Sequence, residues 1–193
     1  RYSGRFKDYN ANARMRHNEI VFSLSRKWKG VDDEIRIGLV QELLCSLLKD
    51  KRNTLNIELY NNFIKNMHLA VEKTIGEPML EESFQRVNQA CFEGLVEKPN
   101  LKWGQAAKRM LGNYSYPTDT ISLNPLLKKD IEALDYVMYH ELLHKKLKFR
   151  HDKGRSYHHT SEFKLMEKQF PNASQIEKRL RKLTSGFGFF DFF

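Results

Sequence analysis

Apolar and polar positions change period several times along the chain. Residues 3–16 and 19–25 partly alternate, which predicts two strands joined by a turn at His17-Asn18. Gly30 breaks that pattern, and Asp32 and Asp33 are suitable N-cap residues for a helix over about 33–50. In it Ile35, Leu39, Leu43 and Leu47, flanked by Val40, Leu44 and Leu48, trace a helical stripe. A second helix is expected over about 56–73, with Leu59, Phe63, Met67, Ala70 and Val71 inward, until Gly76 and Pro78 interrupt it. A third is expected over about 79–93, with Leu80, Phe84, Val87 and Cys91 on its buried face.

Leu101–Trp103 and Thr120–Leu123 read as short strands, separated by the turn-rich GNYSYPTD. Residues 130–148 read as a helix beginning near Asp130, with Ile131, Leu134, Met138 and Leu142 on one face. TSEFKLMEKQF reads as the next, with Phe163, Met166 and Phe170 inward and Pro171 beyond its end. Strands and helices in this order give an α+β class. The chain length suits a single domain over 1–183. The aromatic stretch 184–193, with five phenylalanines in its last nine residues, is expected to fold back onto the core, to fray, or to dock onto a partner.

Composition narrows the setting. With 40% apolar and 30% charged residues the chain is globular, and no run approaches the roughly 18–20 apolar residues of a membrane span. Its start lacks an apolar signal core, and Cys45 and Cys91 fall in apolar helical patterns, so reduced core cysteines in a cytoplasmic protein are expected. Lysine and arginine number 33 against 24 acids, a net charge of +9. Segment 145–182 holds twelve Lys/Arg and four acids, so most of that excess lies there. Such a segment favours a polyanion, with nucleic acid the candidate partner.

Residues 140–163 hold five of the seven histidines. His140 and His144 flank a glutamate in HELLH and stand four residues apart, so both imidazoles project from one helix face. Glu141 is turned about 100° from His140 and suits a proton acceptor better than a co-ligand. Two neutral imidazoles and an adjacent carboxylate are what a catalytic zinc site uses: the metal acidifies a water and the glutamate takes its proton. A polar triplet among Val137, Met138, Leu142, Leu143 and Leu147 would be costly to bury without such a partner.

A third ligand is needed, and five residues compete. His151 follows His144 by seven positions, which does not fit a metzincin, and Glu162 and Glu167 lie among lysines. His158 and His159 precede the next helix. His159 shares the phase of Phe163 and Met166, whereas His158 is turned about 100° away, so His159 ranks ahead of His158, Glu162 and His151. His17 and His68 read as structural or exposed.

Several stretches together resemble the SprT-like zinc metallopeptidase domain, and more closely its YgjP-like branch. They are Trp103-Gly104, the strand Ile121–Asn124, YVMYHELLH at 136–144, HTSEF at 159–163 and the later Pro171. NANARMRHNEIVFSLSRKW resembles the opening hairpin of that branch. The resemblance implies one zinc ion held by His140, His144 and His159, with Glu141 as catalytic base. It also implies a small zincin-like fold with a short antiparallel sheet beside the active helix.

The expected function is therefore a zinc-dependent metallopeptidase acting on protein or peptide substrates, with nucleic acid as a second partner and no membrane. Two alternatives are a zinc-containing nucleic-acid-binding module that cuts nothing and a metal-dependent hydrolase of a non-peptide substrate. Trp103 is expected either in the cleft or, in preference, in the core. Asn124 is expected either as a cap or beside substrate. Arg109 and Tyr139 receive no assignment.

Overall fold

The computed structural model describes residues 1–6, 8–17, 19–107, 110–152 and 155–183. Its strands are β1 (Tyr2–Ser3), β2 (Ala11–Arg16), β3 (Glu19–Ser25), β4 (Asn100–Trp103), β5 (Gly112–Ser115), β6 (Thr120–Leu123), β7 (Arg150–Asp152) and β8 (Arg155–Tyr157). Its helices are α1 (Asp33–Leu48), α2 (Leu55–Asn66), α3 (Pro78–Phe92), α4 (Ile131–Leu147), α5 (Ser161–Glu167) and α6 (Ala173–Leu183). The α+β class stands. The described residues gather into two compact units, Arg1–Ala70 with Arg150–Tyr157 and Val71–Phe149 with the residues from His158 onward, where one domain over 1–183 is expected from length. The aromatic stretch 184–193 lies outside the described residues, as does Arg109.

In the first unit β3 is central, parallel to β1 and antiparallel to β2. The register pairs Ala11 with Leu24 and Ala13 with Phe22, so those side chains share one face. That face packs with Leu39 around Trp28, whose indole N–H donates to the Tyr9 carbonyl at 3.1 Å. The single strand expected over 3–16 is two short strands, because the chain turns through Asp8 in a left-handed conformation. α2 ends seven residues earlier than expected and gives way to a 3-10 turn at Met67–Ala70. Its buried face is also rotated: Ile57 and Asn61 are buried and Tyr60, Phe63 and Ile64 meet the Trp28 core, while Leu59 is exposed. α1 and α2 approach so closely that a Cβ at Gly38 would lie 1.8 Å from the Asn56 carbonyl oxygen. β7 and β8, expected as loop, form an antiparallel ribbon pairing Arg150 with Tyr157.

In the second unit β6 is the central strand, parallel to β4 and antiparallel to β5. The sheet is thus mixed rather than purely antiparallel, since β4 runs alongside β6. Strand β5 occupies the stretch read from sequence as turn. Its two alternating buried residues, Gly112 and Tyr114, are too few to show a period.

Helix α4 is the centre of this unit. Asp130 caps it, accepting from the Ala133 amide at 3.0 Å. Nearly all its residues from Ala133 to Lys145 are buried; of those expected inward, Ile131 alone points to solvent, at 59% exposure. Such all-round burial follows from packing on every side. Arg86 and Ser83 of α3 bond Asp135, Tyr136 donates to Glu177 of α6 at 2.9 Å, and β5 and β6 cover a further face.

Candidate metal centre

His140, Glu141 and His144 come from the middle of α4, and His159 from the turn just before α5. Thr160 caps α5 by accepting from the Phe163 amide at 3.2 Å, which fixes the helix start just after His159. Phe163 is fully buried and lies 5.0 Å from His140, 4.7 Å from His144 and 4.8 Å from His159, ring centre to ring centre. One apolar ring therefore backs all three imidazoles.

The Nε2 atoms of His140 and His144 are 3.2 Å apart, as are those of His144 and His159. Three nitrogens about 2.0–2.1 Å from a tetrahedral ion would stand roughly 3.3–3.4 Å from one another. The two separations through His144 match that spacing, and all three ligand atoms lie within 4.8 Å of one another. A hydrogen-bonded explanation is poorer, since one neutral imidazole nitrogen cannot both donate and accept.

Burial supports the same reading. It pulls His144 down to about 2, assisted by His140, His159 and His158, and pulls His159 down to about 4, assisted by His140. Both rings are therefore neutral at ordinary pH and present lone pairs, as a metal requires. These three histidines could hold a metal ion.

Glu167 completes the support. Its Oε1 lies 2.6 Å from His140 Nδ1, and both side chains are buried. A carboxylate there holds the proton on Nδ1 and turns the Nε2 lone pair towards the cluster. From sequence Glu167 reads as a candidate ligand or a surface acid. Its spacing, four residues after Phe163 and eight after His159, carries the signal of a shared inward face.

Glu141 is fully buried, and neither carboxylate oxygen makes a well-formed hydrogen bond. Burial raises its pKa well above the usual carboxylate range; the Tyr114 backbone opposes this weakly and Glu167 adds to it. Strand β5 runs directly over the carboxylate. A Cβ at Gly112 would come within 2.4 Å of Glu141 Oε1 and 2.8 Å of Val137 Cγ1, so only glycine leaves room. A buried carboxylate without a well-formed hydrogen bond, beside three clustered imidazoles, is the donor set that suits a metal and its water.

The other candidates lie elsewhere. His158 is half-buried, with its ring 5.5 Å from Phe149 and 6.3 Å from Tyr116, and it stays out of the three-nitrogen cluster. Glu162 is exposed, and the side chains of His151 and His68 lie outside the described residues. Tyr139 donates to the Met166 carbonyl at 2.7 Å and so ties α4 to α5. Asn124 accepts from the Leu126 amide and donates to the carbonyls of Ala107 and Met110, a capping role. Trp103 is half-buried under the Lys128 ammonium at 4.8 Å.

A second buried network holds the end of α4. Lys145 Nζ donates to both oxygens of Asp119, at 2.7 and 2.6 Å, and Tyr114 and Lys73 donate to the same carboxylate. Burial pushes Asp119 up, but these bonds outweigh it and its pKa falls. Tyr116 donates to the His144 carbonyl at 3.0 Å. Beside the histidines a cleft of about 350 Å³ is lined by His159, Lys164, Glu167, Lys168 and Glu177, room enough for part of a substrate.

No curated protein and no solved structure matches the chain. A model of the SprT-like family matches residues 80–182, which run from α3 through β4–β6 and α4 to the end of α6 and include all three histidines, Glu141 and Glu167. That match spans more than half of the sequence, and the chain belongs to the SprT-like family.

Proposed function

We propose that the protein is a zinc metallopeptidase of the YgjP-like kind, in which His140, His144 and His159 hold one zinc ion and Glu141 is the general base. The observation that carries this reading is the pairing of three converging imidazoles with a buried carboxylate that lacks a well-formed hydrogen bond. Zinc in such a site supplies Lewis acidity, lowering the pKa of water and polarising a carbonyl.

The chain's own residues do the rest. Glu167 keeps His140 in the ligating tautomer. Phe163 excludes water from the back of the cluster. Glu141, held under Gly112, accepts the proton of the attacking water and returns it to the leaving amine. Its pKa, raised by burial, makes the carboxylate a stronger base towards the attacking water. The cleft beside His159 gives an extended peptide a place to lie.

The test is hydrolysis of an unstructured protein by wild type and by Glu141→Gln, each loaded with zinc. Wild type is expected to cut, to stop on chelation and to recover with zinc, whereas Glu141→Gln keeps its metal and does not cut. Equal hydrolysis by the variant would remove Glu141 from the reaction.

A further inference from the structure

The first unit carries a cleft remote in sequence from the histidines. It measures about 510 Å³ and lies on the sheet face opposite the Trp28 core. Alternation puts Asn12, Arg14 and Arg16 of β2 on this face, beside Val21 and Ser23 of β3. Arg1, Arg5 and Phe6, from the segment leading into β2, close its other side.

Its charge is one-sided. Four arginines line it and no carboxylate does, among the described residues. Arg5, Arg14 and Arg16 are exposed, and none of their guanidinium groups makes an ion pair there. Arg1 Nε donates to Ser23 Oγ at 3.2 Å. Glu19 is the cross-strand neighbour of Arg16, yet it stays outside the lining. A concave surface of one sign concentrates the opposite charge.

Unpaired arginines of this kind suit phosphate oxygens, which the planar guanidinium fork grips in pairs. Arg14 and Arg16 project about 6.8 Å apart along the strand, comparable to successive phosphates of an extended nucleic-acid chain. Phe6 supplies aromatic surface in the same cleft, and unpaired bases stack on such rings. We propose that this arginine-lined cleft binds the phosphate backbone of single-stranded nucleic acid. The surface differs from the basic segment 145–182 and does not depend on the metal centre.

Binding of a labelled oligonucleotide about 12 nucleotides long, followed by fluorescence anisotropy of the full chain with chelator present, tests this directly. The single strand is expected to bind more tightly than the same sequence as duplex, and more tightly than polyglutamate. Affinity should fall between about 50 and about 200 mM salt. Arg14→Gln/Arg16→Gln should weaken binding about tenfold or more and flatten the salt slope by about 1.4, at about 0.7 for each phosphate no longer neutralised. Lys178→Gln/Lys182→Gln should change neither.

Photo-crosslinking of a bromouracil-containing strand to wild type reads the binding surface without any variant, and the crosslinks should fall in residues 1–16. Absence of binding, unchanged affinity in the arginine variant, preference for duplex or polyglutamate, or crosslinks confined to 145–182 would each overturn the assignment. Hydrolysis is not measured in these assays, so their failure leaves the metallopeptidase reading standing, and the reverse also holds.

Discussion

Glu167 and His140 form a buried carboxylate–imidazole pair, Oε1 to Nδ1 at 2.6 Å, reaching from α5 to the middle of α4. A pair of this kind orients a ligand without being one. Glu167→Ala is expected to weaken zinc binding about 10- to 100-fold while leaving the three histidines in place. Competition with a chromogenic chelator measures it; unchanged affinity would mean that Phe163 positions the ring unaided.

Gly112 and Glu141 are in contact across β5 and α4. Gly112→Ala drives a methyl into the carboxylate and must displace it. Hydrolysis should fall about 100-fold for a displacement near 1 Å, with metal content unchanged. Full activity in this variant would show that the carboxylate has freedom to move.

The buried histidines predict a pH-dependent stability for the metal-free protein. The folded pKa values of His144 (about 2) and His159 (about 4) lie below the unfolded value near 6.5. Between these limits the unfolded chain binds more protons, so their contribution is complete above about pH 6.5 and is lost as pH falls towards about 4. Thermal unfolding of the chelated protein should shift down over that window more for wild type than for His144→Asn.

Glu141 behaves with the opposite sign. Its folded pKa is raised, so its contribution to stability is present below the ordinary carboxylate value and lost as pH rises through the folded one. Metal-free Glu141→Gln should therefore be more stable than wild type by about 1–3 kcal/mol near pH 8, with the gap narrowing near pH 4.5. Denaturant titrations at the two pH values decide it.

Asp119 receives bonds from Lys145, Lys73 and Tyr114 while fully buried. Asp119→Ala strands the buried Lys145 ammonium and the Tyr114 phenol, while Lys73 keeps Glu97 at 3.6 Å, and it should cost about 3–5 kcal/mol. A loss below about 1 kcal/mol would show that solvent reaches the cluster.

Much of this was legible in the sequence, for identifiable reasons. The spacing in HELLH and the phase of His159 against Phe163 follow from helix geometry alone, and the structure brings those three rings together. The face of α3 was readable because its buried stripe keeps one period, whereas in α1 Ile35, Leu39 and Leu43 pack on the Trp28 core but Leu48, expected in the same stripe, is exposed. α4 has no polar face to contrast with, so nothing in its pattern showed that it is enclosed on all sides. β5 was hidden because its buried positions are a glycine and a tyrosine within turn-forming residues. The rotation of α2 depends on where Trp28 sits, a tertiary fact that local periodicity does not contain. Glu167 was hard to read because a glutamate among lysines looks solvated until its partner is known.

The measurement that bears most directly on the central claim is the metal content of the purified protein by elemental analysis, for wild type and for His159→Ala and His158→Ala. The histidine cluster predicts one zinc ion per chain in wild type and in His158→Ala, and little or none in His159→Ala. Zinc retained by His159→Ala, or lost from His158→Ala alone, would contradict it.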